Sequence, residues 1–93
     1  MTALQSERIG RIRTALAALE PSSVEVQDDS HLHAGHLGAR EGKGHYTVRI
    51  VATQFSGLRP LQRHQLVYKA LADLMQTDIH ALAIVALAPD EFS

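Results

Sequence analysis

The stretch HYTVRIVATQFSGLRPLQRHQLVYKALADLMQTDIHALAIVAL, residues 45–87, decides the fold. From His45 to Phe55 apolar and polar residues alternate, with Tyr46, Val48 and Ile50 set against Thr47, Arg49 and Val51. This period of two predicts a strand. Ser56-Gly57-Leu58-Arg59-Pro60 is a turn, and Pro60 suits the first position of a helix, where its missing N–H costs nothing. Leu61, His64, Tyr68, Leu71 and Met75 then recur at helical spacing, and Leu66, Val67, Ala70 and Leu74 widen the stripe. Gln76-Thr77-Asp78 breaks this pattern, so Pro60 to Met75 is one helix or two. Ile79 to Leu87 is apolar on both faces, which predicts a buried or central strand ended by Pro89. A strand–helix–strand unit returns its second strand parallel to the first.

On the N-terminal side, Ile9, Ile12, Leu16 and Leu19 repeat every three or four residues, predicting a helix from Thr2 to Leu19 that Pro21 ends. Val24 and Val26 alternate with Ser23, Glu25 and Gln27, which reads as a short half-buried strand. Asp28 to Gly44 contains Gly35, Gly38, Gly42 and Gly44 and is read as a long loop of the functional or mobile kind. The two strands it joins are expected to pair antiparallel. Strand one then finishes, and strands two and three begin, at the same end of the sheet. His33, His45 and His80, scattered in sequence, are collected there by the topology.

Ninety-three residues fit one domain, 1–93, with a modest core, and 45% hydrophobic content excludes a disordered chain. Nine basic against ten acidic residues give a net charge of −1, without the basic excess of a dedicated nucleic-acid binder. There is no cysteine, so the chain has neither disulfide nor thiolate ligand of its own. No apolar run approaches a membrane span, and a cytoplasmic protein is expected. The unusual feature is six histidines (His31, His33, His36, His45, His64 and His80), whose neutral imidazoles are free to bind metal near pH 7.

Several linked motifs then resemble the BolA family. They are Asp28-Asp29-Ser30 followed by His33 and Ala34, His45-Tyr46, Phe55-Ser56-Gly57-Leu58, Arg63-His64-Gln65-Leu66-Val67-Tyr68 and His80-Ala81-Leu82. They run in the family's order from about Ile9 to Leu87. The resemblance implies an α+β, class II KH-like αββααβ fold, a three-stranded mixed sheet with helices packed on one face. It also implies a non-catalytic protein that shares a bridging [2Fe–2S] cluster with a monothiol glutaredoxin and glutathione, in iron–sulfur trafficking or iron regulation. The cluster ligands it implies are His80, at the start of the last strand, and His33 in the loop. No cofactor is expected in the free protein, which would be a monomer or a weak homodimer.

The sequence departs from the family in three places. Gln65 stands where Arg-His-Arg is frequent, the loop carries the additional His31 and His36, and its Gly35-His36-Leu37-Gly38 lies between two strands. A KH domain's nucleic-acid clamp lies between helices instead.

Each candidate has a competing reading. His31, His33 and His36 could bind Zn²⁺ or Ni²⁺ adventitiously, or merely belong to a solvated loop. His45 could be a further ligand or cap the loop, His64 is read as a core or boundary residue, and His80 could be structural. Two histidines on one iron is sound chemistry, as in Rieske centres; without cysteine, the sulfur must come from a partner. Arg59, Arg63 and Lys69 are the candidate DNA contacts if the chain is instead a transcriptional regulator. With Arg49 they otherwise form a dispersed, solvated surface. Ser30 beside His31 and Asp29 has the residue types of a triad, but adjacent loop residues seldom reach its geometry, and no catalytic motif is present.

Overall fold

A computed structural model describes residues 3–30 and 43–91. Helix α1 (Ala3–Leu16) runs into a 3₁₀ turn (Ala17–Leu19), followed by strands β1 (Ser23–Asp28) and β2 (Gly44–Val51). A second 3₁₀ turn (Thr53–Phe55) leads to α2 (Pro60–Ala70), α3 (Ala72–Thr77) and β3 (Ile79–Leu87), and a short 3₁₀ turn, Pro89–Glu91, is the last described element. The order is αββααβ, as the resemblance implies. Residues 31–42, the body of the loop expected from Asp28 to Gly44, lie outside the described residues.

The α1 stripe is the predicted one: Ile12 and Leu16 are fully buried, Leu19 nearly so, and Ile9 packs beside them. Glu20 ends this segment in the left-handed region, at φ 50°. Pro60 occupies the first turn of α2, and Gly57, at φ 78°, makes the preceding turn in a conformation that disfavours a side chain.

The sheet order is β1-β2-β3, with β1 antiparallel and β3 parallel to β2. Val24 and Val26, Tyr46, Val48 and Ile50, and Leu82, Ile84 and Ala86 join the helical residues Ile12, Leu16, Val67 and Leu71 in one core. The helices therefore cover one face of the sheet, and Glu25, Arg49, Ala83 and Val85 remain exposed on the other.

Three sequence expectations change, and one alternative is decided. The second strand ends at Val51: the Ala52 N–H still donates to the Leu87 carbonyl, but Thr53–Phe55 turns and drives Phe55 into the core. The segment from Pro60 to Met75, readable as one helix or two, is two, interrupted at Leu71 as the αββααβ order implies. Leu61 and Tyr68, placed on the apolar stripe, are 69% and 41% exposed; the buried line runs through Val67 and Leu71 instead. Finally, β3 is an edge strand and β2 the central one. Apolar residues on both faces of β3 reflect its small, exposed Ala81 and Ala83, not a position between two strands.

Candidate metal centre

Gly44 opens β2, its N–H donating to the Asp78 carbonyl at 2.9 Å. That bond fixes where β3 begins. The ladder slips immediately afterwards, because Gly44 pairs with Ile79 but His45 pairs with Ala81. His80 is the extra residue of a bulge, a device that re-aims a side chain. Strict alternation from Leu82, Ile84 and Ala86 would turn His80 toward the core. The extra residue gives that place to Ile79, 1% exposed, and leaves His80 in solvent.

His45 comes to meet it. Its N–H donates to Ser30 Oγ at 3.1 Å, and its carbonyl accepts the Asp29 N–H at 2.7 Å. Asp28 Oδ1 accepts the Ser30 N–H, so a tight Asx turn holds the acceptor in place. His45 is buried, and its ring lies 5.2 Å from that of His80, tilted by 50°. A shallow cleft of about 250 Å³ beside them is lined by Asp29, His45 and Ala81, among others.

Beneath the pair lies a polar layer. Asp78 Oδ2 accepts from Arg11 Nη1 at 2.8 Å and Arg8 Nε at 3.3 Å, and Thr77 donates to Oδ1. Burial pushes the Asp78 carboxyl up, but the Thr77 hydrogen bond and the two arginines outweigh it and hold the pKa below its usual value. The Tyr46 hydroxyl is pushed up by burial first and by Asp28 next, with Arg8 opposing. Tyr46 also packs its ring against Gly44, where a Cβ would come within 2.6 Å of ring carbons. Sequence reasoning missed this layer. Arg8 and Arg11 share a helix face in the sequence, but nothing local ties them to an aspartate 70 and 67 positions away.

Of the predicted site residues, His80 and His45 are brought together, whereas His31, His33 and His36 lie outside the described residues. His64 is half-buried on α2, away from the pair, as a boundary histidine. Arg59 and Lys69 are exposed. Arg63 is taken up by its own chain: it donates to the carbonyls of Leu58 and Ala86 and forms a bidentate pair with Glu91.

Among the described residues, no three His, Cys, Asp or Glu side chains group as a metal site. Two imidazoles with rings 5.2 Å apart can still reach one ion, because metal–imidazole bonds run to about 2 Å. This donor set fits part of an iron's coordination and leaves room for ligands from outside the described residues. A cleft of about 600 Å³ between α1, α2 and α3 is lined by Gly10, Arg11, Ala70 and Leu74, among others, and by no histidine. No described helix is long and apolar enough to cross a membrane.

The comparisons agree with this architecture. The chain is 39% identical over 88 residues to the chloroplastic protein BOLA1 of Arabidopsis thaliana, covering 90% of this chain and 55% of that protein. It is 43% identical over 82 residues to human BolA-like protein 1, covering 87% and 58%. It is 41% identical over 87 residues to the chloroplastic/mitochondrial SufE-like protein 1 of Arabidopsis, covering 87% of this chain but only 24% of that protein. The chain thus spans between a quarter and three-fifths of these relatives. The solved structure of Arabidopsis BolA1 superposes with a TM-score of 0.78 at 36% identity, over 92% of this chain and 96% of that one. The BolA domain of Arabidopsis SufE1 superposes at 0.76 and 40%, over 88% and 92%. The family model described as BolA-like protein matches residues 16–91, and the chain belongs to that family.

Proposed function

We propose that this chain is a non-catalytic partner of a monothiol glutaredoxin, sharing a bridging [2Fe–2S] cluster in iron–sulfur trafficking or iron regulation. The supporting observation is the histidine pair at the end of the sheet: an exposed His80, re-aimed by a bulge, against a His45 held by the Ser30 turn. His80 is the first ligand, and a second imidazole completes the chain's contribution. His33 is the proposed second ligand, with His31 and His36 beside it in sequence; His45 competes, because the fold already places it against His80.

The cluster would supply iron that accepts imidazole nitrogen on this side and sulfur, from glutaredoxin and glutathione, on the other. The chain's own part is to hold its imidazoles. The Gly44–Asp78 hydrogen bond sets the start of β3, and the arginines on Asp78 fix that corner to α1. A chain without cysteine needs no oxidising compartment, and we place this function in the cytoplasm. The presence of a BolA domain in a protein named SufE-like supports a connection with iron–sulfur chemistry. Nucleic-acid binding through Arg59, Arg63 and Lys69 gains no support from the site, since Arg63 is already paired.

The test mixes the protein anaerobically with a monothiol glutaredoxin, glutathione, iron and sulfide, and records visible absorption and EPR. The wild-type mixture is expected to show a spectrum distinct from that of glutaredoxin alone, and His80→Ala to lose it. Comparing His33→Ala with His45→Ala then identifies the second ligand. An unchanged spectrum in His80→Ala overturns the assignment.

A further inference from the structure

β3 is a nine-residue edge strand without a charged residue or proline, whereas natural edges are usually guarded by one or the other. Its backbone polarity can be read along its length. The Leu87 carbonyl accepts from Ala52 of β2, so Leu87, Val85, Ala83 and Ala81 turn their backbone groups inward to the sheet. Ala86, Ile84 and Leu82 turn theirs to the outer edge. The Ala86 carbonyl confirms the phase, because it accepts from Arg63 Nη1 at 3.0 Å. Arg63, clasped by Glu91, therefore caps the far end of the edge, and the bulge at His80 interrupts the near end. Between these stops, among the described residues, no strand pairs with the outer N–H and C=O groups of Leu82 and Ile84.

We propose that this edge pairs with the same edge of a second copy, antiparallel and centred on Ala83. The register is self-complementary. Leu82 faces Ile84 of the second copy and Ile84 faces its Leu82, giving two hydrogen-bonded pairs and four N–H···O=C bonds. Ala83 meets its own counterpart in the non-hydrogen-bonded position, where Cα atoms come within about 4.5 Å and the side chains are in direct contact. Ala81 and Val85 face each other across the dyad, adding apolar contact between residues exposed in the single chain. The next pair, His80 with Ala86, is excluded because Arg63 already holds the Ala86 carbonyl. The absence of charge on β3 removes the repulsion that would oppose a like-with-like contact. The result is a continuous six-stranded sheet. With only two hydrogen-bonded residue pairs and three small-to-medium apolar side chains per copy, association is weak and concentration-dependent.

Sedimentation equilibrium from about 10 μM to about 1 mM, a range that registers contacts of modest free energy, reads the dimer directly. The apparent mass should rise from 10.2 kDa toward twice that value. Ala83→Lys places two ammonium groups face to face and should weaken association at least about tenfold, as should Ala83→Glu with two carboxylates. An equimolar mixture of the two variants should associate again, which a merely unfolded variant could not do. Independently of any substitution, amide exchange at Leu82 and Ile84 should slow as the wild type is concentrated, while Ala81, Ala83 and Val85, already bonded to β2, stay unchanged. A wild type that stays at 10.2 kDa throughout leaves the edge to a different protein's strand and overturns self-pairing. Association indifferent to Ala83→Lys, a mixture that fails to associate, or Leu82 and Ile84 amides that gain no protection overturns it equally.

Discussion

At His80, one extra residue separates a side chain in the core from a side chain in solvent, and Gly44 is where that residue is absorbed. Gly44 has to be glycine for a packing reason: the Tyr46 ring fills the space of its Cβ, with the ring carbons and hydroxyl 2.6–2.7 Å away. Gly44→Ala is expected to destabilise the fold by about 1–3 kcal/mol, the usual cost of forcing a methyl into a packed site. Gly10 offers the contrast. It lies in α1 with nothing within 4 Å of a Cβ, so Gly10→Ala should stabilise by roughly 0.5–1 kcal/mol through helix propensity. Urea midpoints of the two variants, moving in opposite directions, check both. At this scale the sequence yields the partners but not the mechanism. The topology read from residues 45–87 was enough to bring His45 and His80 to one end. The bulge that exposes His80 leaves no trace in the alternation, because Ile79 through Leu87 is apolar at nearly every position and its register is free to slip by one. His33 falls outside the described residues, so its share in the site rests on the topology read from the sequence and on the family resemblance.

Elements show where periodicity is a sufficient guide and where packing overrides it. α1 and β1 each have one apolar face against polar neighbours, and both form close to where the pattern puts them. The segment from Pro60 to Met75 carries apolar residues too widely around the helix for the stripe to select a single buried line. Leu61 and Tyr68, seven residues apart, match a helical face as well as Val67 and Leu71 do; only contact with the sheet, and the break at Leu71, decide between them. The energetic consequence is testable. Leu71→Ala should cost about 2–5 kcal/mol, as for a fully buried leucine, and Leu61→Ala should stay within about 0.5 kcal/mol. Equal losses in chemical denaturation would mean that Leu61 is covered in solution. The same limit applies to β3. An apolar strand looks central until the order of strands is known, and that order is set by which strand β2 pairs on each side, not by β3's own residues. What the sequence does convey is that the outer face of β3, with Ala81, Ala83 and Val85, is apolar and uncharged, and the proposed self-pairing depends on that property.

For the whole molecule, the chain's two ends are tied back to the fold by charge. Near the start, Arg8 and Arg11 of α1 hold Asp78 at the entrance to β3. Near the finish, Glu91 returns to Arg63 on α2 and also accepts the Ala88 N–H. Arg63's hydrogen bond, with that of Ala88, lowers the Glu91 pKa from 4.5 to about 2. The Asp78 pKa is lowered from 3.8, the Thr77 hydrogen bond and both arginines prevailing over burial. Both carboxylates are therefore more acidic folded than unfolded, and the sign follows. Above about pH 4.5 they are ionised in either state and the native fold has their full contribution. As the pH drops below that, the unfolded chain takes up protons first and stability declines; for Glu91 the loss is complete once the folded carboxylate protonates, near pH 2. Glu91→Gln should thus lower stability at pH 7 and flatten the acid limb, so that its difference from wild type narrows steadily between about pH 4.5 and about pH 2. Urea midpoints taken across that range measure the gap. A gap that stays constant down to pH 2 would show that Glu91 is not held ionised by Arg63, and would remove the clasp that ends the open edge of β3.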